Sequence, residues 1–214
     1  MFLRYLPLVK ALGGTVFLET QPALTAVAAT CGSTDLLIPE GGHLPPFDLQ
    51  RSLMSLPWVF RTDLESIPSD IPYVDVPAEV PNRGPILECL RRAEDGPRIG
   101  LVWAGRPEHG RDFERSIPAK SLNPLADLSG VAWFSLQHGN QEQPALPGLV
   151  PLSPFLSTFS DTAYALSGMD LVITVDTALA HLAGALGVPT FLLLPFQADF
   201  RWLLNREESP WYPT

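Results

Sequence analysis

The clearest pattern of hydrophobic and polar positions lies between residues 170 and 195. LVITV at 171–175 is a continuous aliphatic run, which is typical of a strand buried on both faces of a sheet. TALAHLAGAL at 177–186 has leucines at helical spacing, and Gly187 follows as a stop signal. TFLLL at 190–194 then reads as the next buried strand. The pattern predicts a β-α-β unit.

Asp176, Thr177 and His181 fall at the mouth of this predicted unit. There the end of a parallel strand meets the start of a helix, and free N–H groups with the helix dipole favour an anion. Asp is also a favoured N-cap, so a capping role for Asp176 stays open, as does a purely structural role for His181. A membrane span is excluded, because Asp176, His181 and Pro189 interrupt the apolar run.

An earlier strand and loop precede this unit. RIGLVWAG at 98–105 predicts an apolar strand, and the polar loop at 106–116 carries three arginines, one histidine and several acids. A solvated charge run is the ordinary interpretation of such a loop and stays open. We expect a helix to start near Pro118, with Ser116 as its cap.

The next strand is predicted at 131–137, VAWFSLQ, and a short helix at 159–169, capped by Ser160 or Asp161. Strands and helices therefore alternate along this half of the chain. With right-handed crossovers, the order predicts a parallel, doubly wound sheet.

The first half of the chain shows shorter elements. Helices and strands alternate there, and we expect them at about 2–12 (helix), 15–19 (strand), 22–30 (helix) and 35–39 (strand). FDLQ at 47–50 is a further candidate strand, and the Pro-broken segment 64–74 is expected to be a surface loop. His43 lies in a flexible Gly-Pro turn and is a weak functional candidate.

A Pro-rich polar segment at 76–85 is the best linker candidate. We therefore predict three parts: a partial first lobe at 1–76, a linker and helix at 77–97, and a second lobe at 98–214.

Four loops of the second lobe should open at one edge of its sheet. Their polar residues are Arg115 and Ser116, Gln137 and His138, Asp176 to His181, and Gln197 to Arg201. Placed beside the helix start, Arg115 would offer a diphosphate a bidentate guanidinium next to backbone donors. Neither a GxGxxG nor a GxxxxGK[ST] motif is present, so the usual dinucleotide and P-loop fingerprints are missing.

Composition narrows the class of partner. The net charge of −9 and the lack of a Lys/Arg cluster argue against nucleic acid as a partner. The two cysteines, Cys31 and Cys89, are far apart and suggest neither a zinc site nor a disulfide framework. Arg4, Pro7 and Lys10 interrupt the N-terminal apolar segment, which reads as an amphipathic helix and not as a signal peptide. We expect a cytoplasmic protein.

Several longer motifs resemble a known family. They are WAGRPEHGRDFERSIP at 103–118, FSLQHG at 134–139, the 170–195 segment, DFRWLLNREESPWYP at 199–213, and the N-terminal FLRYLPLVKALGG with PPFDLQRSLMSLP. Together they resemble the heptosyltransferase-like glycosyltransferases (the ADP-heptose:LPS heptosyltransferase superfamily), especially bacterial members found behind tetratricopeptide repeats. VDTALAHLAGALGVPT combined with RSIP is the most specific part of the likeness.

The resemblance implies a GT-B architecture of two Rossmann-like parallel-sheet lobes. It implies hexosyl or heptosyl transfer from a nucleotide-diphosphate sugar to an acceptor hydroxyl, inverting and independent of metal, with the donor as substrate and no cofactor. The acceptor would be a glycan, a lipid-linked molecule or a protein. By motif, the donor or its phosphates would meet Arg115, Ser116, Asp176, Thr177, Ala178, Leu179 and His181. Gln137, His138 and Phe196 are candidate nucleoside contacts.

The chain departs from the family pattern at three places. The first strand and its acidic turn, where a general base is expected, would precede Met1, and a further strand and helix would follow Thr214. We therefore expect a unit truncated at both ends, with an incomplete first lobe and no assigned catalytic residue. Asp48 and Glu65 are acids of the first lobe, but neither lies in a motif for a base. Arg106 replaces the asparagine common in WAGNP.

Other interpretations remain open from the sequence. The chain could be a noncatalytic binding or interaction module that keeps the GT-B fold, or another doubly wound enzyme such as an epimerase. The aromatic residues near the C-terminus could stack on a base or pack in the core: Phe196, Phe200, Trp202 and Trp211. An uncovered sheet edge would favour a homo-oligomer.

Overall fold

The computed structural model describes residues 1–92, 96–108, 110, 112–139 and 142–213. It is a mixed α/β structure with two parallel sheets. The strands are β1 (Phe17–Thr20), β2 (Leu36–Pro39), β3 (Arg98–Val102), β4 (Ala132–Ser135), β5 (Val150–Pro151), β6 (Leu171–Val175) and β7 (Thr190–Leu193). The helices are α1 (Leu6–Ala11), α2 (Thr25–Ala29), α3 (Leu56–Val59), α4 (Arg83–Arg92), α5 (Asp112–Arg115), α6 (Phe159–Ser167) and α7 (Ala178–Ala185).

Short 3-10 helices connect several of these elements. They span Phe2–Tyr5, Pro22–Leu24, Leu53–Ser55, Ala119–Asp127 and Ser153–Phe155. Some positions singled out by the sequence fall outside the described residues: His109 and Arg111 of the polar loop, 93–95 of the linker and helix, and Thr214.

The larger sheet has the strand order β5-β4-β3-β6-β7, all parallel. The chain runs outward from β3 through β4 to β5, then crosses back to β6 on the other side of β3. The direction of winding thus changes between β3 and β6. Ligands of open α/β sheets bind at this kind of switch point, beyond the carboxyl ends of the strands.

Both faces of this sheet are covered, because successive side chains of a strand point to opposite sides. Val102 and Phe134 join a core with α4, α6 and α7. Leu101 and Trp133 join a second core with Leu122 of the 3-10 helix at Ala119–Asp127. The parallel, doubly wound sheet predicted for this half of the chain is present, with β5 as a strand that the pattern did not indicate.

Strand β7 forms one edge of the sheet, and it is less buried than its sequence indicates. Its register pairs Phe191 with Ile173 of β6, yet the Phe191 side chain is 64 % exposed. An apolar run indicates hydrophobicity but not the position of a strand in its sheet, so the expectation of a buried strand was wrong for β7.

The first part of the chain builds the small β1–β2 sheet, with Phe17 opposite Leu36. Leu6, Val16, Leu18 and Ala28 form its local core. Val27 and Val74, however, are buried in the core that covers the larger sheet. The domain boundaries at residues 76 and 98 remain a prediction. Because Val27 and Val74 pack in the core of the larger sheet, the two predicted lobes share part of one core.

Two helix starts differ from those predicted. Helix α6 begins after Thr158, which accepts a hydrogen bond from the Asp161 N–H while Asp161 accepts one from the Thr158 N–H. This reciprocal capping box takes over the capping role expected of Ser160 or Asp161 alone. The segment after Pro118 is a 3-10 helix and not an α-helix, with Pro124 inside it, and Pro118 itself is its N-cap in place of Ser116.

Three further predicted segments of the first half of the chain differ in the structure. The predicted helix at 2–12 is a 3-10 helix followed by α1, with Pro7 in the first turn of α1, where a proline is tolerated. Residues 47–50 form no strand. The predicted surface loop at 64–74 buries Ile67 and Val74, since the Pro-rich segment lies against the main core.

None of the helices in the described ranges combines the length and apolar composition that crossing a membrane requires.

Candidate functional site

A cavity of about 410 Å³ opens at the switch point of the larger sheet. Its lining comes from the loop after β3, the junction of β6 with α7, the segment after β7 and the N-terminus. The lining residues are Met1, Phe2, Glu114, Arg115, Asp176, Thr177, Ala178, His181, Pro195, Gln197, Asp199 and Arg201. Three of the four polar sets predicted to converge therefore meet at this cavity.

The guanidinium of Arg115 is fixed at the start of α7. Its Nη1 donates a hydrogen bond of 2.9 Å to the carbonyl oxygen of Asp176, and its Nε donates one of 3.0 Å to Oδ1 of Asp112. No residue in the described ranges accepts a hydrogen bond from Nη2. Arg115 thus holds a positive charge and a donor beside the first turn of a helix, where an anion is favoured.

A short network around Asp112 holds Arg115 in place. Ser116 donates its hydroxyl to Oδ2 of Asp112 over 2.9 Å and accepts a hydrogen bond of 2.9 Å from the N–H of Gly105. Asp112 therefore receives Ser116 on one oxygen and Arg115 on the other. This arrangement gives Ser116 a supporting role behind Arg115, and Ser116 is absent from the cavity lining.

The junction of β6 and α7 places its N–H groups at the cavity. Thr177 is the N-cap of α7, without a side-chain capping hydrogen bond, and its Oγ1 is buried without a partner among the described residues. Asp176 is therefore not the N-cap, so the capping role considered for it is wrong. An unpaired buried hydroxyl is costly to the fold.

His181 lies one turn into α7 and faces the cavity from a mostly buried position. Its Nδ1 is 2.9 Å from the hydroxyl of Tyr212, and its ring stacks on Trp202 with centroids 5.1 Å apart. Burial, and then the charges of the terminal ammonium and Arg201, lower the pKa of His181 to about 3. At neutral pH the imidazole is uncharged and acts as a hydrogen-bonding group.

Of the remaining candidates for ligand contact, one lines the cavity and the others lie outside its lining. Ala178 lines the cavity, whereas Leu179 packs against the main core. Gln137 is 1 % exposed, and its amide bonds the backbone of Trp103, Ala104 and His138, so it joins β3 to the end of β4.

His138 and Phe196 are both exposed and outside the cavity lining, Phe196 fully so. Trp202 is buried and Trp211 packs edge-on against Phe2, which accounts for these two aromatics by packing.

The cavity is electrostatically mixed. Arg115 pairs with Asp112, and Nε of Arg201 lies 3.2 Å from Oδ1 of Asp199. The part of the cavity that favours an anion is therefore local, at the start of α7.

Across the described part of the chain, no cluster of three or more His, Cys, Asp or Glu side chains is arranged to hold a metal ion. Asp48, Glu65 and His43 are exposed and lie outside the cavity lining.

Gly105 provides the space that the Arg115 guanidinium occupies, so we expect Gly105→Ala to displace it. A Cβ at this position would come closer than 3.0 Å to Nη2 of Arg115 and to Oδ1 of Asp112. Both are ends of side chains that can move, so the stability cost should be about 1 kcal/mol, while affinity for an anionic ligand should fall about tenfold. Calorimetric titration measures the loss.

The matched control for this variant is Gly110→Ala in the same loop, where a Cβ meets nothing within 4 Å. Equal affinity in the two variants would mean that the position of the guanidinium does not matter.

Two comparisons with known proteins found a match, and the family model is the one that bears on chemistry. The model of glycosyltransferase family 9 (heptosyltransferase) matches residues 152–193, which include α6, β6, α7 and β7 but not Arg115. Protein FlbA of Caulobacter vibrioides is 28 % identical over 134 residues, which make up 58 % of this chain and 22 % of that protein. The match thus spans about a fifth of that relative's length. No solved structure matches at a significant level. The family match suggests glycosyltransferase chemistry in general.

Some of the site was invisible in the sequence. The supporting roles of Asp112 and Gly105, and the contacts of Trp202 and Tyr212 with His181, join residues far apart in the chain. Tyr212 lies in the motif SPWYP, which in the sequence served only as part of the family resemblance. Tyr212 follows His181 by 31 residues, so no local pattern links the two.

Proposed function

We propose that this chain carries the donor-binding site of a glycosyltransferase, which holds the diphosphate of a nucleotide sugar in the cavity at the start of α7. The observation that carries the proposal is the Arg115 guanidinium, fixed to the Asp176 carbonyl beside the first turn of that helix, where backbone N–H groups and the helix dipole favour an anion. The family match over residues 152–193 supports the same chemistry for the neighbouring helix.

The chemistry proposed for this site is transfer of a hexosyl or heptosyl group to an acceptor hydroxyl, with inversion and without a metal ion. The bond from the sugar to the diphosphate breaks as the acceptor oxygen attacks, and the nucleoside diphosphate leaves with the electron pair. The acceptor hydroxyl gives up its proton to a base or to water in the same step. Arg115 and the α7 dipole would stabilise the negative charge that develops on the leaving group. His181 would add a neutral hydrogen bond.

Binding without catalysis is the second candidate, and one observation favours it. Among residues 1–76, all of which the structure describes, the cavity is lined only by Met1 and Phe2. No carboxylate of the first predicted lobe faces the cavity to remove a proton from an acceptor. If none of the carboxylates that line the cavity from the second predicted lobe, Glu114, Asp176 and Asp199, takes that proton, the site would hold the nucleotide sugar without transferring its sugar.

The test of donor binding is thermal unfolding of the chain with ADP, UDP or GDP at millimolar concentration. At 100 times the dissociation constant, binding adds about 2.7 kcal/mol, which raises the melting temperature by roughly 5–10 °C for a chain of this size. We expect one nucleotide to give this shift and inorganic phosphate at the same concentration to give much less. A cooperative transition that no nucleotide shifts would overturn the proposal.

Incubation with the matching nucleotide sugar separates the remaining possibilities. Release of nucleoside diphosphate supports transferase chemistry, whereas binding without release supports the noncatalytic module. An epimerised sugar nucleotide formed without release would identify an epimerase.

A further inference from the structure

The imidazole of His181 is held by two aromatic neighbours. The Tyr212 hydroxyl lies 2.9 Å from Nδ1, and the Trp202 ring stacks on the imidazole at an interplanar angle of 9°. These contacts leave the ring little freedom to turn. Because Nδ1 is engaged with Tyr212, Nε2 is the ring nitrogen left to face a ligand in the cavity that His181 lines.

Gly184 allows Tyr212 to reach this position. It lies three residues after His181, on the same face of α7. A Cβ at Gly184 would stand closer than 3.0 Å to Cδ1 and Cγ of the Tyr212 ring. The ring therefore packs directly on the helix backbone, which a larger residue would prevent.

The direction of the Tyr–His hydrogen bond follows from the chemistry of the two groups. Burial, and then the neighbouring Tyr73, raise the pKa of Tyr212, so the phenol keeps its proton. A phenol is the better donor and a neutral imidazole nitrogen the better acceptor. A proton donated to Nδ1 leaves the imidazole proton on Nε2.

The charged and titratable groups around the ring keep it neutral. Among the described residues, the amino group of Met1, Arg201 and Arg4 lower the pKa of the ring and Asp199 raises it. Tyr212 bonds the ring directly, and the charged groups that line the same cavity are Glu114, Arg115 and Asp176. Arg4 is 2 % exposed, and its guanidinium lies over the rings of Tyr73 and Tyr212. Asp199 favours the imidazolium, but burial, which has the largest effect on the pKa of His181, outweighs it. Burial also lowers the pKa of the Met1 amino group to about 5, so that group is largely uncharged above this pH.

We propose that Tyr212 is a positioning residue: it donates its hydroxyl proton to Nδ1 of His181 and thereby presents Nε2–H to the diphosphate of the bound nucleotide. The inference rests on the proposed function of the cavity. His181 then contributes a directed hydrogen bond and not a charge. Its contribution to nucleotide affinity is constant between about pH 5 and 8, whereas a free histidine would change charge in this range.

Long-range ¹H–¹⁵N spectra of the histidines in the full chain test the proton position directly, without nucleotide. His181→Gln identifies the signal. We expect the Nε2–H tautomer and no titration of His181 between pH 5 and 8. The Nδ1–H tautomer, or titration near pH 6.5, would overturn the inference, and this holds even if no Tyr212 variant folds.

Tyr212→Phe removes the hydroxyl and keeps the ring. In this variant we expect His181 to populate both tautomers, while burial still keeps the ring uncharged between pH 5 and 8. The affinity for the best of ADP, UDP and GDP at pH 8 should fall about tenfold. Tyr164→Phe on α6 is the control, since this tyrosine lies under Arg83 and outside the cavity lining.

The outcomes separate the two proposals. An unchanged tautomer and affinity in Tyr212→Phe would reject the role of Tyr212 while nucleotide binding stands. The Nε2–H tautomer in a protein that binds none of the three nucleotides would reject the proposed function, and with it the ligand part of the inference.

Discussion

Replacing Asp161 with alanine is expected to lower the free energy of unfolding by about 3 kcal/mol. The side chain is fully buried at the start of α6 and accepts hydrogen bonds from Ser157, Thr158 and Asn82. Asn82 is 79 residues away and precedes α4, so one carboxylate caps one helix and anchors another. Its removal leaves several donors unpaired. Denaturant unfolding monitored by circular dichroism measures the change.

Two comparisons test the cause of this loss. Asp161→Asn keeps the shape but not the charge, and about half of the destabilisation should remain. Asp127→Ala at an exposed position should stay within about 0.5 kcal/mol of the native chain. If Asp161→Ala were as mild as Asp127→Ala, the network would carry no net stability.

The same carboxylate should make stability depend on pH. Burial alone would raise the pKa of Asp161, but the hydrogen bonds from Asn82, Thr158 and Ser157 outweigh it and hold the pKa below its ordinary value. A depressed pKa stabilises the fold above the unfolded value, near 3.9, and this contribution is lost as pH falls through the folded value. Asp161→Asn should remove that part of the acid sensitivity.

Arg115→Ala is expected to weaken binding of the preferred nucleoside diphosphate about 30-fold. A hydrogen bond to a charged group contributes about 2 kcal/mol, and each 1.4 kcal/mol corresponds to a factor of ten in affinity. The substitution also removes the guanidinium that bonds the Asp176 carbonyl, so the start of α7 loses a support. Calorimetric titration of native and variant chains measures the change.

Arg115→Lys separates charge from geometry. A lysine keeps the charge but cannot bond Asp112 and Asp176 through a rigid fork, so we expect it to recover only part of the affinity. Arg92→Ala, at an exposed arginine paired with Glu88, is the control and should bind as the native chain does. Nucleotide affinity unchanged in Arg115→Ala would place the diphosphate elsewhere.

The elements of the second half were predictable because their signals are local. An aliphatic run followed by a polar turn and a helical spacing of leucines was enough to place β6, α7 and β7. The same string located Asp176, Thr177 and His181 at the strand-to-helix junction. Backbone geometry then fixes which residues face that junction, whatever surrounds it.

Gln137 was predicted as a nucleoside contact, and the structure gives it a different role. A glutamine at the end of a predicted strand looks like a ligand contact, since polar residues at the carboxyl ends of strands line such sites. In the structure its amide instead satisfies the backbone of the neighbouring strand end. The partner groups lie more than 30 residues away, and no local pattern reports them.

By itself, the sequence determined the alternation of strands and helices, the polar residues at the start of α7 and the resemblance to glycosyltransferases. Only the tertiary structure decided the strand order, the exposure of Phe191 at the sheet edge and the support of Arg115 by Asp112. It also decided that Tyr212, near the end of the chain, holds His181. Short-range periodicity records which face of an element is apolar. Which elements meet depends on packing and hydrogen bonds between residues tens of positions apart, and these appear only when the chain is folded.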